Sequence, residues 1–224
     1  MQRETALGRA SRHLVRALDA WLRRQQGIFV FSEDPDCIFR LSLAAAQAPM
    51  TFADGTSVAP GDRLLVIHFW NERLPVVPPG GPDLHWARTM YRKAIASLRL
   101  LAGFLQAQEE LADVRACGAD AAGFLTGPAL DTGAVFPRLG FEMLRPHAQA
   151  GPWGRFVEFW ENLYSWMLVW AYNPSTLRGK TPWTLERFGL WISRATLLER
   201  YGRPPAADEA PAGEKVAAQE ACGR

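Results

Sequence analysis

The segment at residues 49–74 constrains the fold more than any other part of the chain. It reads PMTFADGTSVAPGDRLLVIHFWNERL. The dipeptide Asp54-Gly55 predicts a hairpin turn, because both residues tolerate the positive φ that tight turns require. A Gly-Asp pair marks a second turn, and the run at 64–70 is apolar on both faces except for His68. We therefore predict a hairpin followed by a buried strand, with polar residues gathered where that strand ends.

The rest of the chain alternates between helical and extended patterns. Apolar residues recur at helical spacing in two long segments, with shorter helices and strands around them. Helices are predicted at 11–25, 84–110, 129–139, 152–172 and 193–201, and strands at 39–43, 64–70, within 114–125 and at 141–144. Strands that come first, with helices gathered after them, favour an α+β fold. We expect a small antiparallel sheet with a hairpin, packed against two long helices and shorter helices.

Length and composition favour a single domain. The chain has 224 residues, of which 48% are hydrophobic, and this is enough to form a full core. We expect one domain at 1–203, including its N-terminal helix, and a disordered tail at 204–224, where Pro, Ala, Glu and Gly dominate. The polar N-terminus lacks a signal-peptide core, and no apolar run is long enough to span a bilayer. These features predict a cytoplasmic protein, either free or peripheral to the inner membrane.

Charge and cysteine usage argue against several classes of partner and cofactor. The net charge of +2 gives no argument for nucleic acid, so we expect no such partner. The three cysteines lack the spacing of zinc sites, and the four histidines are widely scattered. The sequence contains no Walker A loop, nucleophile elbow, H-E-x-x-H motif or dinucleotide-binding glycine motif. We expect no metal and no cofactor.

His68 is the candidate catalytic residue. A buried imidazole needs a hydrogen-bond partner, because an unpaired buried polar group costs about 1–3 kcal/mol. In one interpretation His68 is a general base or a ligand contact, helped by Asn71 and Arg73 at the strand end. In the other it is a core histidine bonded to a backbone carbonyl.

A second candidate is a basic stripe on the long helix. His85, Arg88, Arg92 and Arg99 lie close to one helix face, because steps of three, four and seven return to the same side. Arginines on one face bind phosphate or carboxylate groups bidentately. We predict an anionic small molecule or a lipid headgroup as the ligand, with Arg138 as a further contact. The alternative is a solvated helix face.

The helix at 152–172 carries aromatic residues on nearly every side. A helix that is apolar nearly all round is normally buried in a core or an interface, and we expect burial here. The alternative is that the segment 153–172 lies against a protein partner or a membrane surface, where Trp and Tyr are favoured.

Four segments occur in order along residues 38–202: ADGTSVAPGDRLLVIHFWNERL, ARTMYRKAIASLRLL, RLGFEML and LERYG. Together they resemble a known bacterial family, the YkoP-like domain. The resemblance implies a small domain that occurs alone or fused to polysaccharide deacetylases, with no established activity and no proven catalytic residues. It also implies a setting in cell-envelope polysaccharide or lipid metabolism.

Two functions follow from these observations. The first is a non-catalytic binding or accessory module in envelope polysaccharide or lipid metabolism. The second is a small transferase or hydrolase that acts on an anionic substrate with His68 and the arginines. The run FPRLGFE also resembles the end of an N-acetyltransferase domain, although the glycine-rich pyrophosphate-binding turn of such enzymes is absent. A cavity that joins His68, Asn71 and Arg73 to Arg88 or Arg92 would favour the enzyme.

Overall fold

The computed structural model describes residues 6–122, 132–144, 152–177 and 187–202. Within these ranges the chain forms five α-helices and seven strands. The helices are α1 (Ala6–Gln25), α2 (Leu84–Ala107), α3 (Thr132–Arg138), α4 (Pro152–Tyr172) and α5 (Arg194–Tyr201). The strands are β1 (Phe39–Ala45), β2 (Met50–Thr51), β3 (Ser57–Val58), β4 (Arg63–Phe69), β5 (Ala116–Ala122), β6 (Glu142–Leu144) and β7 (Arg187–Ser193). Short 3₁₀ turns occur at Asn71–Arg73, Glu109–Leu111 and Pro174–Leu177.

The main sheet has five strands in the order β1-β4-β5-β7-β6, and β2 and β3 form a separate two-stranded sheet. The α+β class expected from the sequence is confirmed. The main sheet is mixed, because β4 and β5 are parallel while its other pairs are antiparallel. The parallel pair arises because the chain crosses over through α2 between these two strands. The sequence analysis did not predict β7, which lies between β5 and β6.

The principal core lies between the sheet and α2. Odd-numbered residues of β1 and β4 share one face of the sheet, because side chains alternate along a strand. Leu41 and Leu65 on this face pack with Leu98 and Leu101 of α2, and all four are fully buried. Ile192 and Leu197 extend the same core towards α5. This face of the sheet also borders the cavity described below.

The turn glycines have the positive φ expected from the sequence, and polar or glycine residues cap the helices. Gly55 has a φ of 84° between β2 and β3, and Gly61 has a φ of 92° at the second turn. The Asp83 carboxylate caps α2 by accepting a hydrogen bond of 2.7 Å from the Trp86 amide. Gly27, with a φ of 62°, ends α1. The predicted end of α2 near residue 110 was too late, because Gln108 is extended and a 3₁₀ turn follows.

Asp54 holds the hairpin against the start of α5. Its carboxylate accepts hydrogen bonds from the Ser193 hydroxyl and from the Thr196 hydroxyl, the latter at 3.0 Å. Ser193 also caps α5 by accepting from the Thr196 amide at 3.0 Å. Burial acts to raise the pKa of Asp54, but the hydrogen bonds from Ser193, Thr56 and Thr196 outweigh it and lower the pKa to about 2. The hairpin is therefore anchored by an ionised carboxylate.

Helices α1 and α4 pack against each other through a buried acid. Asp19 of α1 accepts hydrogen bonds from the Tyr164 and Tyr172 hydroxyls of α4, at 3.0 and 3.3 Å, and pairs with Arg23 at 3.4 Å. Glu72 links this pair of helices to the sheet, because it contacts both Arg23 and Arg40. The polar side of α1 therefore faces the protein.

Parts of the expected burial are wrong. Phe156 and Trp160 of α4 are about half exposed, at 51% and 52%, although the aromatic helix was expected to be buried. Asn162, a polar residue of the same helix, is buried instead. Packing of α4 against α1 decides which side is covered, and the sequence pattern of a single helix cannot specify this. The predicted disordered tail at 204–224 lies outside the described residues.

Candidate functional site

A cavity of about 880 Å³ lies between the N-terminal half of α2, the sheet and α3. Its walls are mainly apolar. The sheet supplies Phe39, Ile67, Phe69, Ala119 and Leu190, α2 supplies Leu84, Trp86, Ala87, Met90, Tyr91, Ala94 and Leu98, and the α3 region supplies Val135, Phe136, Leu139 and Phe141. A cavity of this size is in the range of sites that bind small organic molecules.

The cavity lies beside the point where two neighbouring strands separate, because Ile67, Phe69 and Ala119 all line it. Pairing between β4 and β5 ends at Val66 and Gly118, although β4 continues to Phe69 and β5 to Ala122. Each strand stays paired with its other neighbour over this stretch. The Arg63 carbonyl accepts a hydrogen bond from the Arg115 amide, next to β5. The Trp70 amide donates to the Ile38 carbonyl, next to β1. Successive residues of a strand direct their N–H and C=O groups to alternate sides. The N–H and C=O groups of Phe69 therefore point into the gap between β4 and β5.

Helix α2 accounts for the wall opposite the sheet. Its apolar stripe was predicted from helical spacing to be a buried face, and its C-terminal half is buried. The N-terminal half of the stripe extends past the part of the sheet in which β4 and β5 are paired. Leu84 is 85% exposed and Tyr91 is 42% exposed, and both line the cavity. Leu84 and Tyr91 do not pack into the core and instead form part of the exposed wall of the cavity.

A small group of basic residues lies in the cavity. Of the described residues that line it, Arg88 and Arg138 are positively charged, His85 lies with them, and none is Asp or Glu. All three side chains are exposed. No described residue forms an ion pair with Arg88 or Arg138, whereas Arg63 pairs with Asp113 and Arg23 with Glu72. The structure thus brings together three of the residues that the sequence analysis selected as ligand contacts.

The other predicted ligand contacts lie elsewhere. Arg92 is 3.3 Å from Asp36, and Lys93 is 3.0 Å from the same carboxylate. The Lys93 ammonium lowers the pKa of Asp36 by hydrogen bonding to it. Arg73 stacks on the Trp70 ring at 3.5 Å and donates to the Asp34 carbonyl at 2.6 Å.

The hydrogen bond from Arg73 to Asp34 ties the loop before β1 to the turn after β4. The ion pairs of Arg92 and Lys93 with Asp36 tie the same loop to α2. Asn71 lies in the turn after β4, and neither Asn71 nor Arg73 nor Arg92 lines the cavity.

His68 lies on the opposite face of the sheet from the cavity. Its neighbours Ile67 and Phe69 line the cavity, so alternation turns the imidazole to the other side. There the His68 Nε2 atom is 2.9 Å from the Ser42 hydroxyl on β1. Burial lowers the pKa of His68, which favours a neutral imidazole hydrogen-bonded to the Ser42 hydroxyl. Ser42 is itself buried, and the pair satisfies two polar groups within the fold.

We expect His68 to make stability fall at acidic pH. Because the pKa of His68 is lower in the folded protein, the unfolded chain binds a proton at pH values where the folded protein does not. The contribution of His68 is therefore complete above about pH 6.5 and is lost as the pH falls towards the folded value. The free energy of unfolding, measured by denaturant titration at about pH 7.5 and pH 5.5, should differ less in His68→Gln than in the parent.

His13→Gln is the matched control for this measurement, because His13 is exposed and has no described hydrogen-bond partner. It should keep the pH dependence of the parent. An unchanged pH dependence in His68→Gln would show that the His68–Ser42 pair does not titrate on unfolding.

Other kinds of site find little support in the described residues. Cys37 and Cys117 are buried free thiols, and burial raises the pKa of Cys117 to about 12, which disfavours a thiolate nucleophile. Within the described ranges no group of three or more His, Cys, Asp or Glu side chains is placed to hold a metal ion. None of the described helices has the length and apolar character needed to cross a membrane.

Comparison with known proteins identifies the family of the chain. No curated protein and no solved structure matches it significantly. A family model described as the YkoP domain matches residues 12–201, a range that contains the whole cavity and most of the chain. The resemblance seen in the four sequence segments is thereby confirmed, and the chain belongs to the YkoP domain family.

Proposed function

We propose that this protein is a binding module for an amphiphilic ligand with an apolar tail and an anionic head. The observation that carries the proposal is the composition of the 880 Å³ cavity, whose described lining is mainly apolar and includes two arginines, Arg88 and Arg138, with His85 beside them. The setting that the family resemblance implies, envelope polysaccharide or lipid metabolism, provides ligands of this chemistry. The proposal assigns the protein a non-catalytic role there.

Both halves of such a ligand would gain from this cavity. An alkyl chain that leaves water gains about 0.8 kcal/mol for each buried methylene group. A phosphate or carboxylate head gains charge-assisted hydrogen bonds from guanidinium groups, each worth about 1.5–3 kcal/mol. Because Arg88 and Arg138 have no described acidic partner, no ion pair has to be broken before they bind an anion. The tail supplies most of the affinity and the head selects for charge.

A panel of three probes tests the proposal by isothermal titration calorimetry. Decyl phosphate has both parts of the ligand, decanol has only the tail, and inorganic phosphate has only the head. We expect decyl phosphate to bind at least about tenfold more tightly than decanol. Inorganic phosphate alone should show no measurable binding.

The double variant Arg88→Ala/Arg138→Ala should bind decyl phosphate no more tightly than decanol, a loss of about tenfold or more. Both side chains are exposed, so the melting temperature should stay close to that of the parent. Arg99→Ala is the matched control, because Arg99 is an exposed arginine of α2 that does not line the cavity. If no amphiphile binds the parent, the proposal is wrong. If the double variant keeps the parent affinity, the cationic group is not the head site.

An acyltransferase is the second candidate function, and one observation favours it. The segment FPRLGFE, which resembles part of an N-acetyltransferase domain, supplies Phe136, Arg138, Leu139 and Phe141 to the cavity wall. An acyl donor with an anionic carrier would place its apolar acyl group in the same cavity. Release of free thiol from an acyl-coenzyme A in the presence of amine acceptors would support this function. The geometry does not support a transferase or hydrolase that uses His68, because His68 faces the other side of the sheet from the cavity.

A further inference from the structure

Helix α1 presents an apolar stripe to solvent. Leu14, Leu18 and Trp21 are separated by four and three residues and therefore share one face of the helix. They are 72%, 40% and 54% exposed. The sequence pattern predicts that such a stripe packs into the core, but here the helix is turned the other way.

The opposite side of α1 explains this orientation. Asp19 is 4% exposed and is held by the Tyr164 and Tyr172 hydroxyls, as described above. Arg16 donates to the Ala171 carbonyl at 3.1 Å and lies over the Tyr172 ring. These polar contacts with α4 fix the rotation of α1 about its axis. The stripe of Leu14, Leu18 and Trp21 is therefore an apolar face that the described residues leave 40–72% exposed, on a helix that the fold holds in place.

The charge of α1 indicates what covers this face. The helix contains five arginines and one aspartate, which gives a formal charge of +4; Arg16 and Arg23 contact the protein, and Arg24 is exposed. Because the aspartate is the buried Asp19, the outer side of the helix carries no acid. His13 and Arg24 flank the apolar stripe and are exposed. A second copy of the chain would bring like charges together, so self-association through α1 is disfavoured.

We propose that α1 docks onto a membrane surface that carries anionic headgroups. Leu14, Leu18 and Trp21 enter the boundary between headgroups and acyl chains, and the flanking basic residues stay among the headgroups. Trp and basic side chains are favoured at this depth, and each basic residue near an anionic surface strengthens binding by about fivefold. Helix α4, which packs on α1, also exposes Phe156 and Trp160. The docking surface does not overlap the described residues that line the ligand cavity.

Vesicle co-sedimentation tests this proposal on the full chain. The two vesicle compositions are pure phosphatidylcholine, and phosphatidylcholine mixed with phosphatidylglycerol. We expect binding to the anionic vesicles at least about tenfold stronger than to the neutral ones. Raising the salt from about 0.1 M to about 1 M, which shortens the Debye length from roughly 10 Å to 3 Å, should weaken that binding several-fold.

The triple variant Leu14→Ser/Leu18→Ser/Trp21→Ser should bind anionic vesicles at least about tenfold more weakly than the parent. Its melting temperature should fall only slightly, because the three side chains are 40–72% exposed and serine only modestly lowers helix propensity. Leu43→Ser/Val76→Ser removes exposed apolar groups elsewhere and should bind as the parent does. When the same triple substitution is made in the Arg88→Ala/Arg138→Ala background, binding should fall by the same factor, which separates docking from headgroup capture in the cavity.

Three results would overturn the proposal. The first is that the parent does not sediment with anionic vesicles. The second is that the triple variant binds as well as the parent does. The third is that the parent self-associates in light scattering and the triple variant is monomeric, since the stripe would then be covered by a second copy.

Discussion

Replacing Gly118 by alanine is expected to lower the free energy of unfolding by more than about 3 kcal/mol. Gly118 lies in β5 directly opposite Trp191 of β7. A Cβ atom built on Gly118 overlaps the Leu190 carbonyl oxygen and lies 2.7 Å from two carbon atoms of the Trp191 indole. The carbonyl belongs to the paired strand and the indole belongs to a buried cluster, so neither yields without displacing the sheet. Denaturant unfolding followed by circular dichroism measures the effect.

Gly103→Ala is the matched control and should change stability in the opposite direction. Gly103 is an exposed position of α2, and nothing lies within 4 Å of a Cβ built there. Alanine has the higher helix propensity, so the variant should gain about 0.5–1 kcal/mol. A Gly118→Ala protein with the unfolding midpoint of the parent would show that the β5–β7 pairing differs from the one described.

A bulky side chain at Ala94 should shorten the ligand tail that the cavity accepts. Ala94 lies on the α2 wall of the cavity and is half-buried. In the parent, affinity for alkyl phosphates should rise about fourfold for each added methylene until the cavity is full, since each buried methylene contributes about 0.8 kcal/mol. In Ala94→Trp the indole occupies part of that space. The rise should stop at a shorter chain, and three excluded methylenes would cost about 60-fold in affinity.

The series from hexyl to hexadecyl phosphate, titrated against both proteins, measures the shift. Ala107→Trp places the same side chain at an exposed position of α2 outside the cavity and should keep the chain-length profile of the parent. Identical profiles for Ala94→Trp and the parent would exclude this cavity as the tail site. This outcome is distinct from failure of the head site, which the Arg88→Ala/Arg138→Ala variant tests separately.

The candidate site was predictable in part, and the reason lies in helix geometry. His85 and Arg88 are three residues apart on α2, so helical spacing alone places them on one side of it. Arg92 has the right spacing too, but Asp36 from a distant loop pairs with it. His68 was selected because it is polar on an apolar strand. Its pairing with Ser42 depends on the β1–β4 register, which the sequence analysis did not assign.

The sequence by itself determined the local structure of this protein. Turn glycines, the Asp83 cap and helical periodicity act over a few residues, and the hairpin, α2 and the α4 boundaries follow from them. The sheet order, the separation of β4 from β5 and the rotation of α1 were decided only by the tertiary structure. These features depend on contacts between residues far apart in the chain, such as Asp19 with Tyr164, where no short-range pattern selects one partner over another. The cavity and the exposed α1 face both result from such contacts, so only the folded chain reveals them.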